Sequence, residues 1–408
     1  MKIKAFKGLR PTQDKASSIA SLPYDVVNFQ QACKEAEGKP LSFMRVVRSE
    51  LELDPSIDPY SEPVYAHAKE NFQKLVDGGY MVREDVPSMY LYRQQMGEHS
   101  QTGLVATFSA EDYDNDVIKK HEKTREAKEN DRYRLTRTLR VNTGPVFLTV
   151  KDGTLLDKIV EDKKDEDALF DFVAEDGIRH SVWKISDSET LAKIVETFDN
   201  IPCAYVADGH HRSVSNARCA RLMKADNPNH TGDEDYNWFL SVCFPAGQLK
   251  ILPYNRVVKD LAGNTKEQFL EKLGKVCKLT KSGQKAPEGS LKVSMYLDGE
   301  WYSLEFENTE GLDAVSSLDV ALLQDRVLAP LLNIGDPRTD ERIDFVGGIK
   351  GTDELERLVK EDGFAVAFSM YPTTVAQLMA IADAGQIMPP KSTWFEPKLR
   401  SGLFVHTF

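Results

Sequence analysis

Apolar and polar residues change period several times along this chain, and each change marks an element. Residues 1–9 alternate as a short strand that Arg10-Pro11 ends, and Ile19 to Leu22 is a second strand-like piece running into Pro23-Tyr24-Asp25. Leu41 to Arg48 reads as a strand carrying Arg45 and Arg48, whereas Ser61 to Asp77 puts Val64, Ala68, Phe72 and Leu75 at helical spacing. Met89 to Gln95 and Gln101 to Ser109 read as paired strands joined by a glycine-containing loop. Ile118 to Arg140 is dense in charged helix formers and predicts one long helix or two short ones. A strand at Val146 to Val150 follows, then helix, turn and strand over Asp152 to Ile185, and a helix over Ser186 to Asn200 with Ser186 or Asp187 as N-cap.

The period then switches within a few residues. Ile201 to Ala207 is an apolar run suited to a buried strand, and Ser213 to Lys224 has helical spacing. Beyond it, Trp238 to Phe244 and Lys250 to Leu252 read as strands, and Pro253 to Val258 as the start of a helical segment. Lys266 to Leu273 is a helix, and Leu291 to Tyr296 with Glu300 to Phe306 form a hairpin across Asp298-Gly299. Leu318 to Leu332 is an apolar helix that stops near Asn333, Phe364 to Tyr371 a strand, and Thr373 to Ala384 a helix. The tail from Ile387 to Phe408 has no period and suggests a pinned loop. Strands alternating with helices, after earlier hairpins, predict an α/β (α+β) fold with mixed sheets. Two regions are expected, 1–248 and 249–408.

Composition narrows the class. At 408 residues, 41% hydrophobic and 28% charged, the chain reads as an ordinary soluble globular protein of two or three subdomains. A net charge of −12 argues against a general binder of nucleic acid or anionic membrane, which needs a basic surface that releases counterions. A local basic pocket is compatible with it. The start of the chain has no apolar signal-like core and no run is long enough to cross a bilayer, so a cytoplasmic location is expected. Five scattered cysteines without a CxxC pair point to buried thiols rather than a disulfide framework or a zinc ribbon.

Candidate chemistry gathers at the strand-to-helix joint, Asp208-Gly209-His210-His211-Arg212. A glycine there lets the backbone turn sharply, and the helix that follows offers first-turn amides and a positive dipole end. His210, His211 and Arg212, followed by Ser213, add donors, so a phosphate is the natural occupant; Asp208 would hold a metal ion or orient a histidine. A polar turn with a capping aspartate is the plainer alternative. Pro23-Tyr24 would aim Asp25 into a cleft, unless Asp25 merely caps a helix. On one continuous helix His121, Arg125, Lys128 and Arg132 share a cationic face beside Glu122 and Glu126, although such runs are commonly solvated helix surfaces. His121-Glu122 does not open a zincin motif, because Arg125 stands where the second histidine is needed. Lys391, Ser392, Thr393, Lys398 and Ser401 in the tail are suited to a phosphate or an amino-acid carboxylate.

These motifs occur in one order: Pro23 to Val26, His121 to Thr124 with Asp131-Arg132, Ala207 to Arg212, Pro253 to Val258, and Pro389 to Lys398. That order resembles a large uncharacterised bacterial and archaeal family related to the free L-serine kinases, whose fold is ParB/sulfiredoxin-like. The family pattern has a histidine where this chain has Asn255. The resemblance implies a nucleotide-phosphate loop at Gly209 to Ser213, supported by His121, Arg125 and Arg132, with Mg²⁺ near Asp208. It implies ADP or ATP as co-substrate, a hydroxyl of free serine or a similar small molecule as the other partner, and a carboxylate base, for which Glu122 and then Asp25 are the candidates. The tail residues Lys391, Ser392, Thr393 and Lys398 would contact the small molecule. Two other readings suit the same pocket: a metal-dependent phosphatase of a phosphoserine-like substrate using Asp208, His210 and His211, and a non-catalytic nucleotide-binding regulator. Neither nucleic acid nor membrane is an expected partner.

Overall fold

The apolar run Gln101 to Ser109 becomes a central strand, and a mixed α/β fold is built outward from it. The structure, a computed structural model, describes residues 1–163 and 166–408. They divide into two compact units: Met1–Lys120 with Thr124–Leu249 and Pro397–Phe408, and His121–Lys123 with Lys250–Glu396.

The first unit carries a mixed nine-stranded sheet. Its path runs Ile118–Lys119, Ala204–Asp208, Val146–Val150, Trp238–Pro245, His99–Ser109, Met89–Met96, Arg179–Ile185 and Phe170–Val173, with Ile3–Lys4 also pairing His99–Ser109. Ala204–Asp208 pairs Ile118–Lys119, and Trp238–Pro245 pairs Val146–Val150, in parallel; the other pairs are antiparallel. Leu104, Val105 and Ala106 are all fully buried, so both faces of the central strand are covered and its sequence reads as an unbroken apolar run. Ile194 and Phe198 of the helix Ser188–Asp199, and Ala217 and Ala220 of the helix His210–Asp226, pack with Phe108, Leu148 and Val206 in one core cluster. A second cluster joins Phe43, Tyr65, Phe72, Leu135 and Val405. Among the described residues no helix is long and apolar enough to cross a membrane. The five cysteines are unpaired, with Cys219, Cys243 and Cys277 buried.

Several local expectations fail where tertiary contacts override local pattern. The strand expected over residues 1–9 splits into Ile3–Lys4 and Leu9–Pro11, the latter pairing Met81–Arg83. Ile19 to Leu22 contains only an isolated bridge, Ser21 to Ser401, after a helical turn at Ala16–Ile19. Leu41 to Arg48 is likewise a helical turn, Met44–Val47, because short apolar runs fit either state and here three buried faces are needed at once. The long helix over Ile118 to Arg140 is present only as Glu126–Leu139. Ile118–Lys119 is taken into the sheet by the Ala204–Asp208 strand, and Arg125 is extended as the N-cap. His121 and Arg125 therefore do not share a helical face with Lys128 and Arg132. Within Asp152 to Ile185, the helix Thr154–Lys163 and two strands are present; the expected turn includes residues 164 and 165, which lie outside the described residues.

The second unit holds an antiparallel six-stranded sheet in the order Lys278–Lys281, Glu300–Glu305, Lys292–Leu297, Val366–Met370, Tyr254–Val258, Ile343–Gly347. Tyr254–Val258 is a strand and not the helical segment expected, since Val257 pairs across the sheet and packs with Tyr296, Val346 and Ala367. Asn255 extends this pairing through its side chain, whose oxygen accepts from the Met370 amide at 3.0 Å, where the neighbouring ladder ends. Lys250–Leu252 and Trp394–Glu396 form a separate two-stranded ribbon.

One side chain links the first unit's sheet to the loop discussed next. Asn142 is buried, accepts from the Leu240 amide at 3.0 Å and donates to Asn216 Oδ1 at 3.1 Å. It thereby anchors the turn Thr143-Gly144-Pro145 between a strand and the helix His210–Asp226. Asn142→Ala takes the acceptor from the buried Leu240 amide and one of two donors from Asn216 Oδ1, and is expected to cost about 1–3 kcal/mol, read as a lower urea midpoint; an unchanged midpoint would remove Asn142 as the anchor.

Candidate functional site

The strand Ala204–Asp208 ends irregularly. Opposite Leu148 and Phe147 its register slips between Val206 and Asp208, which re-aims Asp208 away from the simple in-out alternation. Gly209 follows with φ of 91°, a left-handed conformation that costs a residue with a side chain about 1–2 kcal/mol. The helix begins immediately at His210 and runs 17 residues, so His210, His211 and Arg212 form its first turn, earlier than the period alone suggested. Gly209 brings no capping side chain to that turn.

Arg212 folds back beneath the joint. Its Nη1 donates to the Pro145 carbonyl, and a Cβ at Gly144 would stand 3.3 Å from that same nitrogen and 2.9 Å from Ser401 Oγ. A Cβ at Gly209 would stand 3.4 Å from Arg212 Nε. Two glycines thus make room for one guanidinium. The residue is 9% exposed, and its Nε has no hydrogen-bond partner among the described residues. One donor of a buried guanidinium at a helix start is thereby left without an acceptor among the described residues.

Asp208 is committed to the loop itself. Its Oδ2 accepts from Lys398 Nζ at 2.9 Å and its Oδ1 from the Gly209 amide at 2.7 Å. Burial alone would raise its pKa, but the Lys398 ammonium, the Arg212 guanidinium and these two hydrogen bonds outweigh burial and hold the carboxyl far below its usual range. For His210 burial dominates and pushes the imidazole down to about 4, against the opposing pull of Asp208. His211 Nε2 accepts from the Arg125 amide at 3.1 Å. Ser213 closes the turn through its amide and hydroxyl, both donating to the Gly209 carbonyl.

The other expected residues of this unit lie in a neighbouring cluster. Asp25 is exposed on the turn after Pro23, and Asn28, not Asp25, caps the next helix through a capping box with Gln31. Tyr24 is buried with a hydroxyl that has no partner among the described residues; burial raises its pKa, with the charges of Asp25, Arg132 and Arg212 also acting on it. Arg132 stacks 3.9 Å from the centroid of the Tyr24 ring, donates from Nε and Nη2 to Asp131 at 3.0 and 2.8 Å, and reaches the Val47 carbonyl. Its charge is met by Asp131 in an internal ion pair, contrary to the phosphate contact expected of it. Tyr24, Arg132, Lys128 and Glu50 line a small cavity of about 100 Å³.

The remaining residues belong to the second unit. His121 is buried and its carbonyl accepts from the Met388 amide at 2.8 Å, with Glu122 beside it. Lys391 lies 5.4 Å from the Tyr254 ring centroid, and Ser392 is a turn residue whose hydroxyl donates to the Pro389 carbonyl at 2.6 Å while its own carbonyl accepts from Thr373. Thr393 follows in the same turn region. Lys398 is thus separated in role from its tail neighbours. Gly144, Pro145 and Asn142 were missed as site residues; their only sequence signal is a Gly-Pro turn. Among the described residues no group of three or more His, Cys, Asp or Glu could hold a metal ion, and Asp208, the residue expected near Mg²⁺, accepts from Lys398.

A mixed α/β protein with a glycine-turned strand-to-helix loop over a buried arginine is the class these observations define. The chain belongs to the family described as Protein of unknown function (DUF1015), whose model matches residues 3–321. No curated protein matches it. Among solved structures it is similar to a conserved hypothetical protein from Pyrococcus furiosus, at 12% identity and a TM-score of 0.37 over 73% of this chain and 93% of that one. It is also similar to a free serine kinase variant in complex with ADP, at 14% identity and a TM-score of 0.38 over 73% and 91% of the two chains. The similarity to C-terminally truncated SbnI from Staphylococcus aureus is 11% identity at a TM-score of 0.38, over 73% and 85%.

The depressed His210 pKa makes a signed prediction. The unfolded chain takes up the proton near the ordinary 6.5 and the folded one only near 4, so stability is full above 6.5 and falls as pH drops through that window. His210→Gln is expected to remove up to about 3 kcal/mol of that acid-side loss, measured as the difference in urea stability between neutral pH and pH near 4. Identical pH slopes for both proteins would show that His210 is not the buried neutral group.

Proposed function

We propose that the chain is a phosphotransferase moving a phosphoryl group between a nucleotide, ADP or ATP, and the hydroxyl of free L-serine or a similar small molecule. The observation that carries this reading is the buried Arg212, with its unpartnered Nε, beneath the glycine that opens a long helix. Phosphoryl transfer asks little covalent chemistry of a protein and a great deal of charge neutralisation and positioning. Gly209 leaves space for phosphate oxygens at the first-turn amides, and Arg212 answers their charge from below. Lys398, held by Asp208, supplies a second fixed cation at the same joint.

In the transfer step, the bond between the donor phosphorus and the nucleotide's bridging oxygen breaks as a bond from phosphorus to the acceptor hydroxyl oxygen forms. The nucleotide leaves one phosphate shorter, and the hydroxyl proton passes to a carboxylate. Asp25 is the candidate within the loop's own unit, since Tyr24 beside it feels Arg212 as well; Glu122 is the candidate that the motif order suggests. Mg²⁺ belongs to the nucleotide complex as substrate, and no step is assigned to a protein-held ion. In this reading the protein works in the cytoplasm on a nucleotide and a small molecule.

Purified protein incubated with serine, Mg²⁺ and either ADP or ATP is expected to form O-phosphoserine, detected by mass spectrometry. Arg212→Ala is expected to lower the rate about a hundredfold or more, and Asp25→Asn against Glu122→Gln to separate the base from the bystander. Turnover unchanged in both Arg212→Ala and Asp208→Asn would dismiss the loop as the site.

A further inference from the structure

The Pro253 to Val258 motif has no part in the proposed transfer, and of the Pro389 to Lys398 motif only Lys398 does; both motifs also supply residues to one cavity in the second unit. The Pro253 to Val258 strand contributes Arg256, and the Pro389 to Lys398 segment contributes Pro389 and Pro390, to a cavity of about 320 Å³. Arg256 is 3% exposed. Its acceptors among the described residues are two main-chain carbonyls: Tyr254, reached from Nη1, and Lys391, reached from Nη2 at 3.0 Å. The guanidinium also lies 5.5 Å from the Phe345 ring centroid. None of these partners carries a negative charge. Burial without a carboxylate pulls its pKa down to about 10, an unusual state for a group so reluctant to lose its proton.

The other charges on the cavity wall cancel. Arg338 is bound by Asp336 through Nε and Nη2 at 2.9 and 2.8 Å. The Gln324 amide nitrogen donates to the Ile334 carbonyl at 2.7 Å, so what remains is one uncompensated positive charge and apolar walls from Val320, Leu328, Phe345 and the two prolines. Gln324 opens a single wider turn, Gln324–Leu328, within the helical stretch Asp319–Leu332, a distortion that recurs where helices line binding sites. A buried cation left without an anion is costly, and a cavity at its side is the place for the missing charge.

We infer that this cavity binds a small carboxylate with an apolar body, its carboxyl on Arg256 and its body between Phe345, Val320 and the prolines. One unmatched charge calls for a monoanion; a phosphate would bring more negative charge than the wall neutralises. The site is built wholly from residues of the second unit and does not rest on phosphoryl transfer.

Calorimetric titration of the full chain with benzoate, acetate and inorganic phosphate tests it. Benzoate is expected to bind most tightly, and Arg256→Gln to weaken it at least about tenfold. Val320→Phe, which fills the cavity and leaves Arg256 in place, is expected to abolish benzoate binding while the protein still melts cooperatively. Arg212→Ala is expected to leave benzoate binding unchanged, so that this site and the phosphate loop fail independently. Absence of benzoate binding, or binding undiminished in both Arg256→Gln and Val320→Phe, overturns the inference. An Arg256-dependent preference for phosphate over benzoate overturns the assignment to carboxylates.

Discussion

The ion pair between Lys398 and Asp208 is the contact on which the first unit's functional end depends. It joins residues far apart in the chain across 2.9 Å, with the lysine side chain 10% exposed. Removing Lys398 would take away the strongest of the interactions that offset the burial of the Asp208 carboxylate. The segment that delivers Lys398 is pinned along its length. Gln94 donates to the Lys398 carbonyl, Arg400 meets His180 and Asp176, Ser401 bridges Ser21, and His406–Thr407 pairs Val141–Asn142. The loop at Gly209 is therefore held by the last residues of the chain as much as by its own strand and helix.

Buried arginines show how one residue type takes different work from its surroundings. Arg132 faces Asp131 and an aromatic ring, so its charge is balanced inside the protein. Arg212 faces a carbonyl and two glycines, and Arg256 faces two carbonyls. Carbonyl dipoles orient a guanidinium without neutralising it. Arg212 lies within electrostatic reach of Asp208, whereas both acceptors of Arg256 are uncharged, in a chain whose net charge is −12. Global charge and local potential are different quantities, and the acidic surplus does not prevent cationic sites.

Reading the chain alone went furthest where local pattern and tertiary need agreed. The paired strands Met89–Met96 and His99–Ser109, the helix Ser188–Asp199 with its Asp187 cap, and the Lys292–Leu297 and Glu300–Glu305 hairpin follow their periods. It failed at short apolar runs, such as Met44–Val47 and Tyr254–Val258, where four or five residues carry too little periodicity to separate helix from strand. It failed again at Ile118 to Arg125, where strong helix formers lost to a sheet edge, because pairing with Ala204 satisfies backbone groups that a helix would have satisfied only locally.

The sequence by itself determined that a glycine between an apolar run and a helical period must turn the chain, and that His210, His211 and Arg212 stand at that joint. Local sterics and side-chain chemistry suffice for both. Only the tertiary structure decided which charges meet: that Asp208 takes Lys398, that Arg132 is spent on Asp131, and that Arg212 is left with a nitrogen unanswered. Electrostatic partners are set by distances between segments remote in the chain, and no local period encodes those distances.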